Sequence, residues 1–170
     1  MQKIFEGNRG EIFLIDYHGQ KAVLKRQKRD KPNTIRNEIE ILHYLQPTHI
    51  VPRVFEYGND FIVMEYLQGI SLKEAIKKEK KRTLKEALRL CSILDRAGVW
   101  HKELGRYYHF IFIPEPKIID FERARFTHKP RNVLQFVGFY MRDLDTKRAI
   151  ELYKRDKRAG LLALEELLDV

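Results

Sequence analysis

Lys25 closes the apolar run Ala22-Val23-Leu24, and Asp120 closes the apolar run Ile118-Ile119. A strand-end lysine on its own is ordinarily solvent-facing. An aspartate ending an apolar strand has few structural reasons to be there. Gly7 and Gly10 bracket Asn8-Arg9, and glycines let backbone amides approach a phosphate with no side chain intervening. The same pair also serves an ordinary hairpin turn. Glu38 and Glu40 sit in an amphipathic stretch, where glutamates are usually exposed. His101, Glu103 and His109 complete the set, with groups that bind protons or metal.

These residues need elements to hold them. Residues 3–6 and 11–17 read as strands around the Gly7–Gly10 turn, and Ala22–Arg26 as a third strand after a turn at 17–21. From Asn33 the apolar period becomes 3.6, with Ile35, Ile39, Leu42 and Leu45 on one face, ending before Pro47. Val51–Tyr57 and Phe61–Tyr66 form a further strand pair around Gly58-Asn59-Asp60. Ser71 is the expected N-cap of a helix, with Glu74 at capping-box spacing. Lys77–Arg82 reads as a solvated helix end, and Thr83–Ala97 as an amphipathic helix stopped by Gly98. Tyr108–Ile113 and Lys117–Asp120 read as short strands around Pro114-Glu115-Pro116, and two or three helices follow from Asn132. Strands first and helices later is an α+β order. The natural lobe boundary lies near Gln68-Gly69, and ligands favour clefts between lobes.

Composition narrows the classes. A net charge of +9 attracts anions such as nucleotides, nucleic acid or acidic protein surfaces, and does not choose among them. The single cysteine, Cys91, excludes a disulfide framework and a Cys-rich metal site; it reads as a buried small hydrophobe. The N-terminus is no signal peptide, and no apolar run approaches the length of a membrane helix. A soluble, cytoplasmic protein with no membrane association is expected.

In order and spacing, these pieces resemble the protein-kinase superfamily from Ile4 to about Arg125. Glu6-Gly7-Asn8-Arg9-Gly10-Glu11-Ile12 is similar to the glycine-rich loop over ATP phosphates, with Phe5 where the first glycine would stand. Ala22-Val23-Leu24-Lys25 resembles the strand whose lysine reaches the α- and β-phosphates. Glu38, in preference to Glu40, takes the place of the helix glutamate that pairs with that lysine. Residues 51–72 are the closest local match. There the resemblance implies Met64 as gatekeeper and Glu65-Tyr66-Leu67 as hinge. The Glu65 carbonyl and the Leu67 amide and carbonyl would bond adenine, and Val23 would pack on its ring.

His101-Lys102-Glu103-Leu104 resembles H-R-D-L, with Glu103 replacing the aspartate that orients or deprotonates the substrate hydroxyl. Five positions on, where the family places a magnesium-binding asparagine, stands Tyr108. A one-residue insertion would put His109 there, either on metal or as a structural or phosphate-facing histidine. Asp120-Phe121-Glu122 resembles D-F-G, with Asp120 on magnesium and Glu122 replacing a flexible glycine.

The resemblance thus implies a single kinase-like domain over residues 1–170. It comprises a small antiparallel β-sheet N-lobe with one helix (1–67), a hinge at 65–69, and a truncated helical C-lobe (70–170). No A-P-E segment follows, and the chain resembles minimal atypical kinases such as the RIO group and the small kinase of the tRNA-threonylcarbamoyl complex. The implied activity is transfer of the γ-phosphoryl group of Mg-ATP to a Ser/Thr hydroxyl, on a protein acceptor or on itself. A pseudokinase binding module and a small-molecule or sugar kinase are the alternatives. Lys147, Arg148, Lys154, Arg155, Lys157 and Arg158 give the C-terminal helices a basic face, either solvated or docking RNA or an acidic partner.

Overall fold

The structure is a computed structural model that describes residues 1–7, 10–113 and 115–170. Asn8 and Arg9 of the first expected turn and Pro114 of the later one lie outside the described residues.

The chain opens with β1 (Gln2–Glu6), β2 (Gly10–Tyr17) and β3 (Gln20–Gln27), then α1 (Ile35–Leu45), β4 (Val54–Tyr57) and β5 (Phe61–Glu65). These strands form one antiparallel sheet in the order β1-β2-β3-β5-β4. The β2–β3 hairpin closes with Tyr17 opposite Gln20. His18 and Gly19 both have positive φ there, and the Gly19 N–H donates to Asp16 Oδ1. β4 begins three residues later than the expected Val51. Pro52 has no N–H to give a ladder, and its carbonyl instead accepts from the Gln46 side chain.

β6 (Ile70–Ser71) leads into α2 (Leu72–Ala97). The Ser71 side chain accepts from the Glu74 N–H, and Gly98 ends the helix at φ 73°. Helical geometry breaks once, at Glu79 (φ −146°, ψ 79°), and the Thr83 hydroxyl donates to the Ala75 carbonyl across the break. The two expected helical pieces therefore meet at a kink inside the charged run.

Next come β7 (Val99–Trp100), β8 (Phe110–Phe112), β9 (Lys117–Ile118) and β10 (Arg125–Phe126). β6, β8 and β9 form one small sheet, and β7 pairs with β10. α3 (Asn132–Tyr140), α4 (Lys147–Arg155) and α5 (Lys157–Leu168) finish the chain. The six basic residues of the tail are all exposed. A continuous apolar core runs from Ile35, Leu42 and Leu45 of α1 through Leu72, Leu88 and Leu94 of α2 to Phe110, Phe121 and Phe136, and Cys91 is buried within it. The architecture is α+β, kinase-like and bilobal: an antiparallel sheet with one helix, then a helical part. Among the described residues no helix is long and apolar enough to cross a membrane.

Candidate functional site

β3 is the central strand, flanked by β2 and β5, with Lys25 opposite Ile12 and Ile62. Val23 and Lys25 are two residues apart, so they share a face of the sheet. Lys25 is only 7% exposed, and its ammonium forms an ion pair with Glu38 of α1 at 2.8 Å. Asp120 and Glu122 flank the same ammonium at 3.5 and 3.6 Å. Burial acts to lower the lysine pKa, but the three carboxylates outweigh it and raise it. Burial raises the Glu38 carboxyl against the pull of Lys25.

The Asp120 backbone places these groups. Its φ of 66° lies in the left-handed region, rare for a residue with a side chain. That turn ends the expected strand after Ile118 and aims the Asp120 carboxylate at Lys25. It also returns Phe121 to the core, where the Phe121 N–H donates to Glu38 Oε2 at 2.8 Å. Asn37, one residue before Glu38, donates to the carbonyls of Glu122 and Ala124 and so ties α1 to this segment.

Lys102 also has a left-handed backbone, at φ 78°. Beside it His101 is fully buried, with both ring nitrogens committed. Nε2 lies 2.9 Å from the Ile119 carbonyl, which can only accept, so Nε2 carries the proton. Nδ1 then accepts the Glu103 N–H at 3.1 Å. Burial drives the His101 pKa down to about 4, keeping the ring neutral near pH 7. Below it, Asn132 accepts the His101 N–H. Asp95 in turn accepts from Asn132, Val133 and Tyr153, the last at 2.6 Å.

His109 and Tyr108 separate cleanly. The expected strand from Tyr108 begins instead at Phe110, because Tyr107–His109 form one 3₁₀ turn. The turn rotates Tyr108 outward, to 48% exposure, and His109 inward, to 2%. His109 Nδ1 lies 3.0 Å from the Glu103 carbonyl, and its Nε2 lies 3.2 Å from Asp120 Oδ2. Burial acts to raise the Asp120 carboxyl, but His109 and Lys25 outweigh it and hold it well below the usual carboxylate range. The Glu103 carboxylate is spanned by Arg123 at 3.2 Å, with Arg106 at 3.9 Å.

Two adjoining cavities meet at Lys25, His109 and Asp120. One, of about 310 Å³, is walled by Ile12, Val23, Met64 and the Glu65–Leu67 segment, with Glu38 at its back. It has the size and apolar character of a small-molecule slot. The other, of about 380 Å³, is walled by Gly7, Gly10 and Glu103. The structure thus brings every expected site residue to one or other cavity. Glu122, Ile111, Ile119, Arg106 and Arg123 also line them. Sequence reasoning did not assign those five, and the two isoleucines sit in the apolar runs Phe110–Ile113 and Ile118-Ile119, where no alternation marks them.

The donor set fits the family's magnesium in part. Asp120 supplies the oxygen that magnesium prefers, whereas the inward group beside it is an imidazole rather than an amide oxygen.

No curated protein matches the sequence. Residues 3–169 match the family profile described as APH, phosphotransferase enzyme family. That match spans nearly the whole chain and agrees with the kinase-like architecture, so the chain belongs to the phosphotransferase enzyme family, within the protein-kinase-like superfamily.

Proposed function

We propose that the protein transfers the γ-phosphoryl group of ATP to a hydroxyl, with a Ser/Thr hydroxyl of a protein, or of the chain itself, as acceptor. The convergence of Lys25, Glu38 and Asp120, which are remote in sequence, carries this reading. The apolar slot takes adenine between Val23 and Met64, with the Glu65–Leu67 backbone along its edge. Lys25, oriented by Glu38, holds the phosphates, and Gly7 and Gly10 let backbone approach them. Asp120 holds the divalent ion that accompanies the nucleotide.

The acceptor oxygen bonds to the γ-phosphorus as the bond to the β,γ-bridging oxygen breaks. ADP leaves, and the hydroxyl proton passes to the Glu103 carboxylate. Glu103 is fixed for this by its N–H on His101 and by Arg123.

Two other readings each have one supporting observation. The cavity of about 380 Å³ beside Glu103 has room for a small-molecule acceptor. The pairing of Glu103 with Arg123 favours a nucleotide-dependent binding module without transfer. Label transfer from γ-labelled ATP distinguishes all three. Transfer to protein, falling about a hundredfold or more in Glu103→Ala with nucleotide binding retained, supports the proposal. Nucleotide binding with neither transfer nor hydrolysis refutes it in favour of the binding module. Transfer only to added sugars or other small hydroxyl compounds moves the acceptor class.

A further inference from the structure

The His109–Asp120 pair is built like a metal site of a different class from the family's magnesium centre. His109 is buried, and its Nδ1 faces the Glu103 carbonyl, which cannot donate, so Nδ1 carries the proton. Nε2 is the ring nitrogen left to face Asp120 Oδ2. With Lys25 on the other Asp120 oxygen, either a proton or a metal ion must lie between Nε2 and Oδ2, which stand 3.2 Å apart. Two ligands each about 2.1 Å from one ion, at angles of about 90–110°, stand about 3.0–3.4 Å apart, which brackets the observed separation. A ring nitrogen that donates to a backbone carbonyl while the other binds metal is the usual outer support of a metal-bound histidine. A Glu103 oxygen reaches the same neighbourhood, with all three donor atoms within 4.8 Å of one another. Arg123 and Arg106 already span that carboxylate, which leaves His109 and Asp120 as the ligands.

From this geometry we infer that His109 Nε2 and Asp120 Oδ2 bind a borderline transition-metal dication of the manganese–cobalt–zinc class in preference to magnesium. Imidazole suits these ions, whereas magnesium demands oxygen. The inference rests on the phosphotransferase reading only in that nucleotide phosphate oxygens complete the shell.

The test uses the full chain with Mn²⁺ as probe, with and without ADP. Pulsed electron paramagnetic resonance of bound Mn²⁺ is expected to show modulation from a directly coordinated nitrogen, lost in both His109→Gln and His109→Asn. Competition with Mg²⁺ should give a Mn²⁺ preference about ten- to a hundredfold greater in the wild type than in His109→Asn, whose amide oxygen restores a hard ligand. Absence of nitrogen modulation in the wild type, as a proton shared between His109 and Asp120 would give, overturns the inference without reference to any variant. An unchanged Mn²⁺/Mg²⁺ ratio in His109→Asn overturns it too. A nitrogen signal together with no binding of ATP analogues under any metal supports this inference while refuting the proposed phosphotransfer.

Discussion

Lys25→Met and Glu38→Gln remove opposite halves of the same ion pair and should not cost the same. At an effective dielectric of about 20, Lys25 is attracted to each of Glu38, Asp120 and Glu122 by about 4.5–6 kcal/mol before desolvation. Removing the Glu38 charge therefore leaves the ammonium well over half of its attraction. The amide oxygen that Glu38→Gln introduces can still accept the Phe121 N–H. Removing Lys25 instead leaves a carboxylate only 1% exposed with the Phe121 N–H as its remaining donor. Breaking a buried pair in that sense costs about 3–5 kcal/mol. Lys25→Met should thus lose about 3–5 kcal/mol at neutral pH and Glu38→Gln about 2 kcal/mol less, read as urea midpoints.

The pH dependence carries a second signature. Glu38 is already raised by burial, and without Lys25 it rises further. A carboxyl whose folded pKa is raised binds its proton more tightly in the folded chain. The stability this gives is present below the ordinary glutamate range and is lost as pH climbs through the folded value. The deficit of Lys25→Met should therefore be smaller at about pH 5 than at about pH 7.5, while the double variant Lys25→Met/Glu38→Gln shows no such trend. A Glu38→Gln loss equal to that of Lys25→Met, or a Lys25→Met deficit flat across that interval, would refute this account of the buried charges.

Glu122 occupies one flank of the ammonium that phosphate would use, so Glu122→Gln should tighten an ATP analogue by several-fold to about tenfold in a fluorescence titration; weaker binding would show that Glu122 assists the nucleotide. A Cβ on Gly160 would lie 2.2 Å from Tyr153 Cα and 2.4 Å from its backbone nitrogen. Gly160→Ala should accordingly destabilise by about 1–3 kcal/mol or more in thermal unfolding, and an unchanged midpoint would mean that α5 shifts freely against α4.

Much of this was readable in the residues themselves. Alternation and turn chemistry located the first three strands, Ser71 and Gly98 marked where α2 begins and ends, and the charged tips of two apolar strands pointed to Lys25 and Asp120. The unreadable parts depend on tertiary direction. A glutamate replacing glycine after Phe121 does not reveal that it turns back to Lys25, since that follows from the left-handed φ of Asp120. Tyr108 and His109 compete for one slot in the sequence, and a single 3₁₀ turn decides between them. Asp95 sits on the buried side of an amphipathic helix with no local sign of its partners. Asn132 and Tyr153 reach it from 37 and 58 residues away.

That last network makes the tail a foundation for the cleft. From the Tyr153 hydroxyl, contacts run through Asp95, Asn132 and His101 to the carbonyl just before Asp120. A chain shortened just before Tyr153 would leave that Asp95 oxygen with only the longer bond from the Val133 N–H, beneath the very loop that carries Glu103. Tags and fusions therefore belong at the chain's two ends, and the helical tail is the last part a minimal version could discard.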